Sequence, residues 1–291
     1  MAKRRTTLTV TGSEWLNKHM VRIRFGGPGF DEFVPNEFTD AYVKLVFEQG
    51  GGPDGRSAGS APADGRSAGS APADGRSAGS APADGRSAGS APAEVLRSYT
   101  VRSVDPQARE IAIDFVVHGD EGIAGPWAAT VAPGAVIDMQ GPGGAYTPNT
   151  DADWHLFAGD EAAIPAIAVA LEALPDDAVG DAFVEVDGPE EEFELRKPDG
   201  VRLTWLHRDG AGSPQSPLPA AVRGLDWRPG KVHVFIHGEA QTVMQDLRRY
   251  IRREREVPAE WASISGYWRR GMADESFRAW KRDLAATEQA G

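Results

Sequence analysis

One short segment of the chain carries three side chains whose chemistry is complementary. It is Arg97-Ser98-Tyr99-Thr100, which lies on a predicted strand. Because successive strand residues point to opposite faces, Arg97 and Tyr99 share one face of the strand, opposite to Thr100. Arg97 can donate forked hydrogen bonds to a pyrophosphate, Tyr99 offers a ring for stacking, and Thr100 offers a polar contact. A flavin nucleotide needs these contacts; the alternative is an edge strand with an ordinary tyrosine and a solvated arginine.

A second segment places small residues directly after a strand. The predicted strand ends at His118-Gly119, and Gly122-Ile123-Ala124-Gly125 then begins a short predicted helix. Backbone N–H groups at a helix start can hold a pyrophosphate, and small side chains let the phosphates approach. A lone histidine at the end of a strand is otherwise more often structural, and both interpretations of His118 stay open.

The elements that must position these segments differ between the two halves of the chain. Up to about residue 148, six short β-rich runs separated by turns predict a closed antiparallel barrel. From residue 154, strands alternate with helices, which predicts a parallel α/β sheet. The expected fold is a β-barrel domain at 1–148 followed by an α/β domain at 149–291. The predicted strands are 6–11, 20–25, 42–47, 96–102, 110–117, 135–139, 154–158, 182–186, 201–206 and 232–237, and the predicted helices are 162–174 and 241–253.

Residues 53–92 are four tandem copies of a ten-residue unit rich in Gly, Ser, Ala and Pro. Each copy carries one Asp and one Arg and has no apolar residue besides alanine and proline, so burial cannot offset the entropy lost on ordering. We interpret the tract as a flexible surface insertion between two strands of the barrel. An adhesive or partner-binding linker is the alternative.

Composition excludes several classes of protein. The chain has 291 residues, no cysteine and a formal charge of −12 at pH 7. Without cysteine there are no iron–sulfur clusters, thiolate zinc sites, disulfides or thiol nucleophiles. The negative charge argues against binding to nucleic-acid backbones. The first residues lack an apolar signal core and no run reaches ~18 apolar residues, so we expect a cytoplasmic protein without membrane insertion.

Seven segments together resemble one family. The chain is similar to the siderophore-interacting proteins, the FAD-dependent ferric-siderophore reductases of the ferredoxin reductase-like superfamily. The resemblance implies a flavin-binding barrel, an NAD(P)H-binding-like α/β domain, and electrons that pass through FAD to siderophore-bound Fe(III). The matching segments, which follow the family's order, are RSYTVR (97–102), DFVVHG (114–119), GIAGPWAA (122–129), GPGG (141–144), AGDEAAIPAIAVALEALP (158–175), HGEA (237–240) and GYWRRG (266–271).

For the flavin, the resemblance implies that the strand of Arg97 is the main binding motif. It also implies that His118 and the backbone around Ala124 and Gly125 contact the ribityl and pyrophosphate groups. Many relatives have serine where this chain has Gly125, so backbone amides must replace that side chain. The expected FAD contacts are Arg97, Ser98, Tyr99, Thr100, Asp114, Val117, His118, Ala124, Gly125 and Trp127.

Two other segments concern the electron donor, and a third concerns the flavin. Asp160-Glu161 precedes a predicted helix, which is the usual place for dinucleotide phosphates in an α/β sheet. No Gly-x-Gly-x-x-Gly occurs there, and two carboxylates repel phosphate, so a capping turn is an equally open interpretation. Gly238-Glu239 resembles the family segment that faces the nicotinamide. Trp268 lies in a segment that resembles the family's C-terminal aromatic segment near the flavin.

Neither a resident metal ion nor a catalytic acid or base is expected. His233 and His237 share one face of a predicted strand, but four residues at a rise of ~3.3 Å put them ~13 Å apart, too far to bind one ion. Flavin performs the electron transfer, so no residue is assigned to proton transfer.

An arginine-rich region is either a solvated helix face or an electrostatic guide for an anionic substrate. It comprises Arg248, Arg249, Arg252, Arg253, Arg255, Arg269 and Arg270.

The expected function is therefore cytoplasmic reduction of a ferric siderophore, which releases Fe(II), with NAD(P)H as donor and FAD as cofactor. A reductase of the same fold that uses ferredoxin or another acceptor is one alternative. A non-catalytic siderophore-binding protein is another. For the ferric-siderophore reductase and for the non-catalytic binding protein alike, the expected small-molecule partner is the ferric siderophore.

Overall fold

The computed structural model describes residues 4–48, 93–119, 122–208, 215–272 and 274–290. The repeat tract at 53–92 lies outside the described residues, so its role as a surface insertion stays a prediction. In the N-terminal sheet, the strand Tyr42–Glu48 alternates buried and half-buried residues, so one of its faces packs on the core. The strands are β1 (Arg5–Trp15), β2 (Met20–Gly26), β3 (Tyr42–Glu48), β4 (Glu94–Thr100), β5 (Ser103–Asp105), β6 (Glu110–Val116) and β7 (Val136–Gly143).

These strands form an antiparallel sheet in the order β4-β3-β7-β1-β2-β6-β5. Strands β4 and β5 lie at opposite edges, yet just Val101 and Arg102 connect them. The N–H of Val101 donates to Ala41 O next to β3 (2.7 Å), and that of Arg102 donates to Ala112 O on β6 (2.8 Å). Such a short link cannot cross a flat seven-stranded sheet, since each residue spans at most ~3.6 Å. The sheet is therefore curled until its edges meet, and the predicted barrel is confirmed.

The short helix α1 (Ala124–Thr130) packs against the barrel core through Trp127. Its indole lies parallel to Phe25 at 6.3 Å, edge-on to Phe47 at 5.5 Å and tilted against Phe115 at 5.8 Å. Trp127 is 5% exposed. The tryptophan that the sequence placed among the FAD contacts therefore serves the core, where an aromatic ring is packed on several sides.

The second half of the chain is a parallel sheet in the order β10-β9-β8-β11-β12. All residues of its β8 and β9 strands are buried, because apolar layers cover both faces of the sheet. This confirms the predicted α/β domain. Its strands are β8 (Trp154–Gly159), β9 (Gly180–Val186), β10 (Val201–His207), β11 (Val232–Glu239) and β12 (Ala262–Trp268), and its helices are α2 (Ile164–Glu172), α3 (Leu218–Arg223) and α4 (Asp274–Ala290).

Several elements differ from the sequence-based expectation. The helix predicted at 241–253 contains two π-helical stretches, Gln241–Leu247 and Tyr250–Glu254. The helix predicted at 162–174 begins with a 3₁₀ turn, Glu161–Ala163, and continues as α2. Strands β5 and β12 and helices α3 and α4 were not predicted. Among the helices that the structure describes, none has the length and apolar character that a membrane span requires.

Two arginines of the basic region have structural roles that neither sequence interpretation included. Arg252 donates to the carbonyl oxygens of Val257 (3.1 Å) and Ala262 (2.9 Å) and so holds the segment that leads into β12. Arg255 donates to the Tyr250 hydroxyl (2.7 Å) and stacks over the Trp227 ring at 4.7 Å. These two side chains stabilise the end of the π-helical region.

Polar contacts hold the barrel against the α/β domain. Arg102, in the link that closes the barrel, donates through Nη1 to Glu172 Oε2 at the end of α2 (3.0 Å). Asn17, in the β1–β2 turn, donates through Nδ2 to Glu191 O (2.8 Å). Arg278 of α4 donates to Leu96 O on β4. Three separate elements of the α/β domain therefore contact the barrel.

Replacing Trp127 by alanine should destabilise the protein strongly, because it leaves a cavity among three aromatic rings. We expect a loss of roughly 3–5 kcal/mol in the free energy of unfolding. The matched control is Trp15→Ala, since Trp15 is 51% exposed and should cost within about 0.5 kcal/mol. Urea denaturation followed by far-ultraviolet circular dichroism measures both. Equal midpoints for the two variants would contradict the core role of Trp127.

Candidate functional site

Strand β4 brings Arg97, Tyr99 and Thr100 to the edge of the barrel. Tyr99 pairs with Val43 and Arg97 with Leu45, two residues whose side chains are buried in the barrel. The Tyr99 ring lies 4.4 Å from that of Phe115, and Tyr99 is half-buried. Thr100 is buried, whereas Ser98 is exposed. The motif therefore presents a partly covered ring and a guanidinium on one face and a hydroxyl on the other.

Tyr267 of β12 is the residue of the α/β domain that meets this motif. Its side chain lies beside that of Thr100, and burial raises the pKa of Tyr267 above its ordinary value. The Tyr267 ring stands edge-on to His237 at 4.9 Å. We call the junction of β4 with β12 the domain seam. Sequence reasoning named Trp268 instead, although adjacent strand residues point to opposite faces, so one of the two aromatics had to face away.

The second flavin segment lies at the end of β6. His118 is exposed, with its ring 6.1 Å from that of His19, and the N–H of Val117 donates to His19 O (2.8 Å). Ala124 is buried at the start of α1. A Cβ on Gly125 would lie 3.3 Å from Val116 O, so a small residue suits this close approach of helix and strand.

Asp114 is bound by an arginine. Arg22 donates to its two carboxylate oxygens, through Nε at 2.6 Å and Nη2 at 2.8 Å. Arg102 lies 4.0 Å away, and Asp114 is 4% exposed. The carboxylate is thus held in an ion pair between β2 and β6, which does not place it with the other expected FAD contacts.

Asp160 lies where the carboxyl ends of three parallel strands meet. Its Oδ1 accepts from Ala162 N (3.0 Å), and its Oδ2 accepts from Glu239 N (2.7 Å) and Trp268 Nε1 (2.7 Å). Gly238 has a φ of +143°, and a Cβ there would lie 2.7 Å from Asp160 Oδ2, so this position requires glycine. The structure therefore brings together three residues that the sequence associated with the donor, Asp160, Gly238 and Glu239, and Trp268, which it associated with the flavin.

Asp160 has an unusual protonation equilibrium. Burial and the neighbouring charge of Glu161 raise its pKa from 3.8 to about 7, although the Trp268 hydrogen bond acts in the opposite direction. The bond to Ala162 N shows that the capping-turn interpretation describes the Asp160 side chain. A carboxyl group at this position changes its charge near neutral pH.

Glu161 belongs to a buried network that sequence reasoning missed. Arg208, which follows β10, donates to Glu161 and to Glu185 of β9 (2.6 Å) and also binds Asp187. The hydrogen bonds and charges of Glu161 and Glu185 outweigh burial, which alone lowers the pKa of Arg208, and raise that pKa. The available signal was the presence of charged residues directly at the ends of neighbouring predicted strands.

We call Glu161, Glu185, Asp187 and Arg208 the acidic edge. Three carboxylates surround one guanidinium, at the carboxyl ends of parallel strands where dinucleotide phosphates normally bind. A small polar cavity beside it is lined by Asp160, Arg208, Glu239 and Trp268, among others. The excess negative charge of the acidic edge opposes the binding of a pyrophosphate, as the sequence had suggested for Asp160 and Glu161.

Comparison with known proteins agrees with this architecture. Residues 9–146 match the siderophore-interacting FAD-binding domain, and residues 152–271 match the siderophore-interacting protein domain. An uncharacterized protein of Mycobacterium tuberculosis is 50% identical over 289 residues, which cover 96% of this chain and 95% of that protein. Ferric vibriobactin reductase ViuB of Vibrio cholerae is 36% identical over 185 residues, which cover 63% of this chain and 68% of the reductase.

Solved structures give the same answer for the fold. A siderophore utilization protein from T. fusca superposes with a TM-score of 0.74 at 33% identity and covers 94% of this chain, with 96% of its own chain matched. The ferredoxin reductase of carbazole 1,9a-dioxygenase superposes with a TM-score of 0.61 at 13% identity, over 92% of this chain and 70% of its own. This second likeness concerns the fold alone and confirms that it is ferredoxin reductase-like.

The raised pKa of Asp160 predicts a pH dependence of stability. A carboxyl whose pKa is higher in the folded state favours folding while protonated, and that contribution is lost as the pH rises from about 4 to about 7. Urea midpoints of the wild type should therefore fall relative to those of Asp160→Asn across this range and run parallel above it. The control is Asp31→Asn, because Arg109 lowers the pKa of Asp31 and moves its titration below this range. Parallel curves for Asp160→Asn and the wild type from pH 4 to 7 would contradict the assignment.

Proposed function

This chain belongs to the siderophore-interacting protein family, and from that premise we propose that it is an FAD-dependent oxidoreductase that reduces siderophore-bound Fe(III) to Fe(II). The observation that carries the proposal is the domain seam. There the Arg97-x-Tyr99-Thr100 strand of the FAD-binding domain meets Tyr267 of the α/β domain. We keep the domain division at 1–148 and 149–291 and a cytoplasmic location as parts of the proposal.

The residues at the seam fit a flavin nucleotide. Arg97 is half-buried at the barrel edge, where a guanidinium can bind a pyrophosphate through two hydrogen bonds. Tyr99 exposes part of a ring that Phe115 holds from one side. The close packing at Gly125 lets the backbone of α1 lie near the end of β6 and the exposed His118. We therefore assign FAD binding to Arg97, Tyr99, Thr100, His118 and the backbone at 124–125.

Bound FAD supplies the conversion between two-electron and one-electron transfer, which iron reduction requires. The protein side of the reaction is positioning. Thr100 and Tyr267 meet at the seam, and the Tyr267 ring stands edge-on to His237. Burial lowers the pKa of His237 to about 3, so this imidazole stays neutral and adds no charge beside the cofactor. Fe(II) has a lower charge than Fe(III), so oxygen-rich chelators release it more readily.

Cations near the seam suit an anionic ferric chelate. Lys281 of α4 donates to Gly266 O (2.8 Å) and Ser265 Oγ (3.2 Å), close to Tyr267. Arg269 lies over the Trp280 ring at 4.4 Å, and Arg278 reaches β4. A local group of positive charges can attract an anion even though the whole chain carries −12. The substrate we propose is therefore a ferric siderophore whose complex is negatively charged.

The electron donor has two candidates. NAD(P)H agrees with the α/β domain and with the cluster of Asp160, Gly238, Glu239 and Trp268. Ferredoxin is the second candidate, because it would not require a pyrophosphate to bind beside Glu161 and Glu185 of the acidic edge. A siderophore-binding protein without catalysis would share the seam but would transfer no electrons.

Arg97→Ala should weaken FAD binding roughly 10- to 100-fold, because a charge-assisted pair of hydrogen bonds to phosphate contributes on the order of 1.5–3 kcal/mol. Tyr99→Ala should lower flavin retention, whereas Tyr99→Phe should preserve most of it, since the ring is kept. The matched control is Arg109→Ala, an arginine whose exposed pair with Asp31 lies elsewhere on the barrel. Fluorescence titration of the flavin-free protein measures each Kd. Wild-type affinity in Arg97→Ala and Tyr99→Ala would remove the seam from the FAD site.

The activity itself is tested anaerobically with ferrozine, which traps Fe(II). We expect the FAD-loaded protein to produce trapped iron from a ferric siderophore with at least one of NADH, NADPH and reduced ferredoxin. The rate with ferredoxin should fall steeply with salt if the partner docks by charge. Binding of the chelate without trapped iron, with all three donors, would instead indicate the non-catalytic alternative.

A further inference from the structure

Three potential metal ligands converge at a second contact between the two domains. His19 lies in the β1–β2 turn of the barrel, and Asp187 and Glu191 follow β9 in the α/β domain. One ligand atom of each residue lies within 4.8 Å of the others. The His19 Nδ1 contacts Glu191 Oε1 directly. We call His19, Asp187 and Glu191 the interdomain triad; Asp187 is shared with the acidic edge, whereas His19 and Glu191 belong to neither the acidic edge nor the FAD site proposed above.

The backbone around the triad is held by hydrogen bonds independent of any ion. Asn17 Oδ1 accepts from His19 N (2.9 Å), and Asn17 Nδ2 donates to Glu191 O (2.8 Å). Val117 N donates to His19 O (2.8 Å). Arg208 also binds Asp187, an arrangement like the outer-shell hydrogen bonds that orient ligating carboxylates. The ligands therefore approach one another without needing to be recruited from mobile segments.

The triad continues the acidic edge and extends its excess of negative charge. In the described part of the chain, the ion pairs of this group run to one guanidinium, that of Arg208, and one imidazole, that of His19. Buried carboxylates are costly unless a positive charge or a metal ion balances them. The four carboxylate side chains and their exposed fractions are Glu161 (6%), Glu185 (6%), Asp187 (17%) and Glu191 (2%).

We infer that the interdomain triad binds a divalent first-row transition-metal ion between His19 Nδ1 and the carboxylates of Asp187 and Glu191. One imidazole nitrogen and two carboxylate oxygens suit Zn²⁺, Co²⁺ or Fe²⁺, whereas Mg²⁺ and Ca²⁺ prefer oxygen alone. Water completes the coordination, as at other sites with three protein ligands. The ion takes the place of the direct His19–Glu191 contact and contributes positive charge beside Glu191 and the three carboxylates that share Arg208.

The consequence is a metal clamp between the domains. His19 is fixed to the barrel, and Glu191 is fixed to the α/β domain, so an ion bound to both opposes their separation. Binding to the folded state alone raises the stability of that state by mass action. No local spacing rule detects this site, because His19 lies 168 positions before Asp187 along the chain.

The test uses the full-length, FAD-loaded protein without an affinity tag, stripped with a chelator and titrated with Zn²⁺ by isothermal calorimetry. We expect one Zn²⁺ per chain and a higher thermal midpoint with Zn²⁺. His19→Gln and Glu191→Gln should each weaken Zn²⁺ binding at least tenfold. The matched control is His207→Gln, since His207 makes an exposed contact with Glu192 (2.7 Å) and should bind Zn²⁺ like the wild type.

A second measurement keeps the inference testable if a triad variant fails to fold. Wild-type protein loaded with Co²⁺ should show the visible absorption of a low-symmetry nitrogen and oxygen site, which Zn²⁺ then displaces. The inference is overturned if the wild type binds neither ion, or if His19→Gln and Glu191→Gln bind Zn²⁺ as tightly as His207→Gln. In that case the His19–Glu191 contact is a plain hydrogen bond between the domains.

Discussion

The closure of the barrel by two residues is the constraint on which the rest of the molecule depends. Val101 and Arg102 join strands at opposite edges of a seven-stranded sheet, and so force the sheet to curl. The same link directly follows Thr100, which places the strand proposed to bind FAD at the closing edge. The Arg102 side chain then reaches Glu172 on α2. One short connection therefore closes the barrel, sets the position of the strand that ends at Thr100, and supplies one contact between the barrel and the α/β domain.

Charge is distributed unevenly along the end of the parallel sheet, and this distribution separates two kinds of partner. The acidic edge lies at β8, β9 and β10, whereas Arg269 and Lys281 lie beside β12. The anionic chelate of the proposed function would therefore be attracted toward the domain seam and repelled from the acidic edge. A dinucleotide that extends across the sheet would have to approach both regions. The net charge of the chain, taken alone, describes neither.

The sequence predicted strands and helices that have a local apolar pattern. It did not predict contacts between side chains that are distant in the chain and meet only in the folded protein. Strand and helix positions followed from alternating apolar residues, and ten strands were placed near their observed bounds. Strand β5 was missed because three residues carry too little pattern, and β12 because Ser263 and Ser265 interrupt its apolar run. The Arg97 strand could be named from its own residues. Arg208 could not, since its carboxylate partners Glu161 and Asp187 meet it through three parallel strands.

The metal question illustrates the same difference between local and long-range information. His233 and His237 are close in sequence, and the extended strand keeps them apart; burial lowers the pKa of both, and Phe235 separates them along one face. His19 and Glu191 are far apart in sequence, and the packing of the two domains brings them into contact. Spacing rules detect ligands within one helix or turn, whereas ligands supplied by two domains become neighbours after both have folded. A site of the second kind also reports on domain packing, because it can form in no other arrangement of the barrel and the α/β domain.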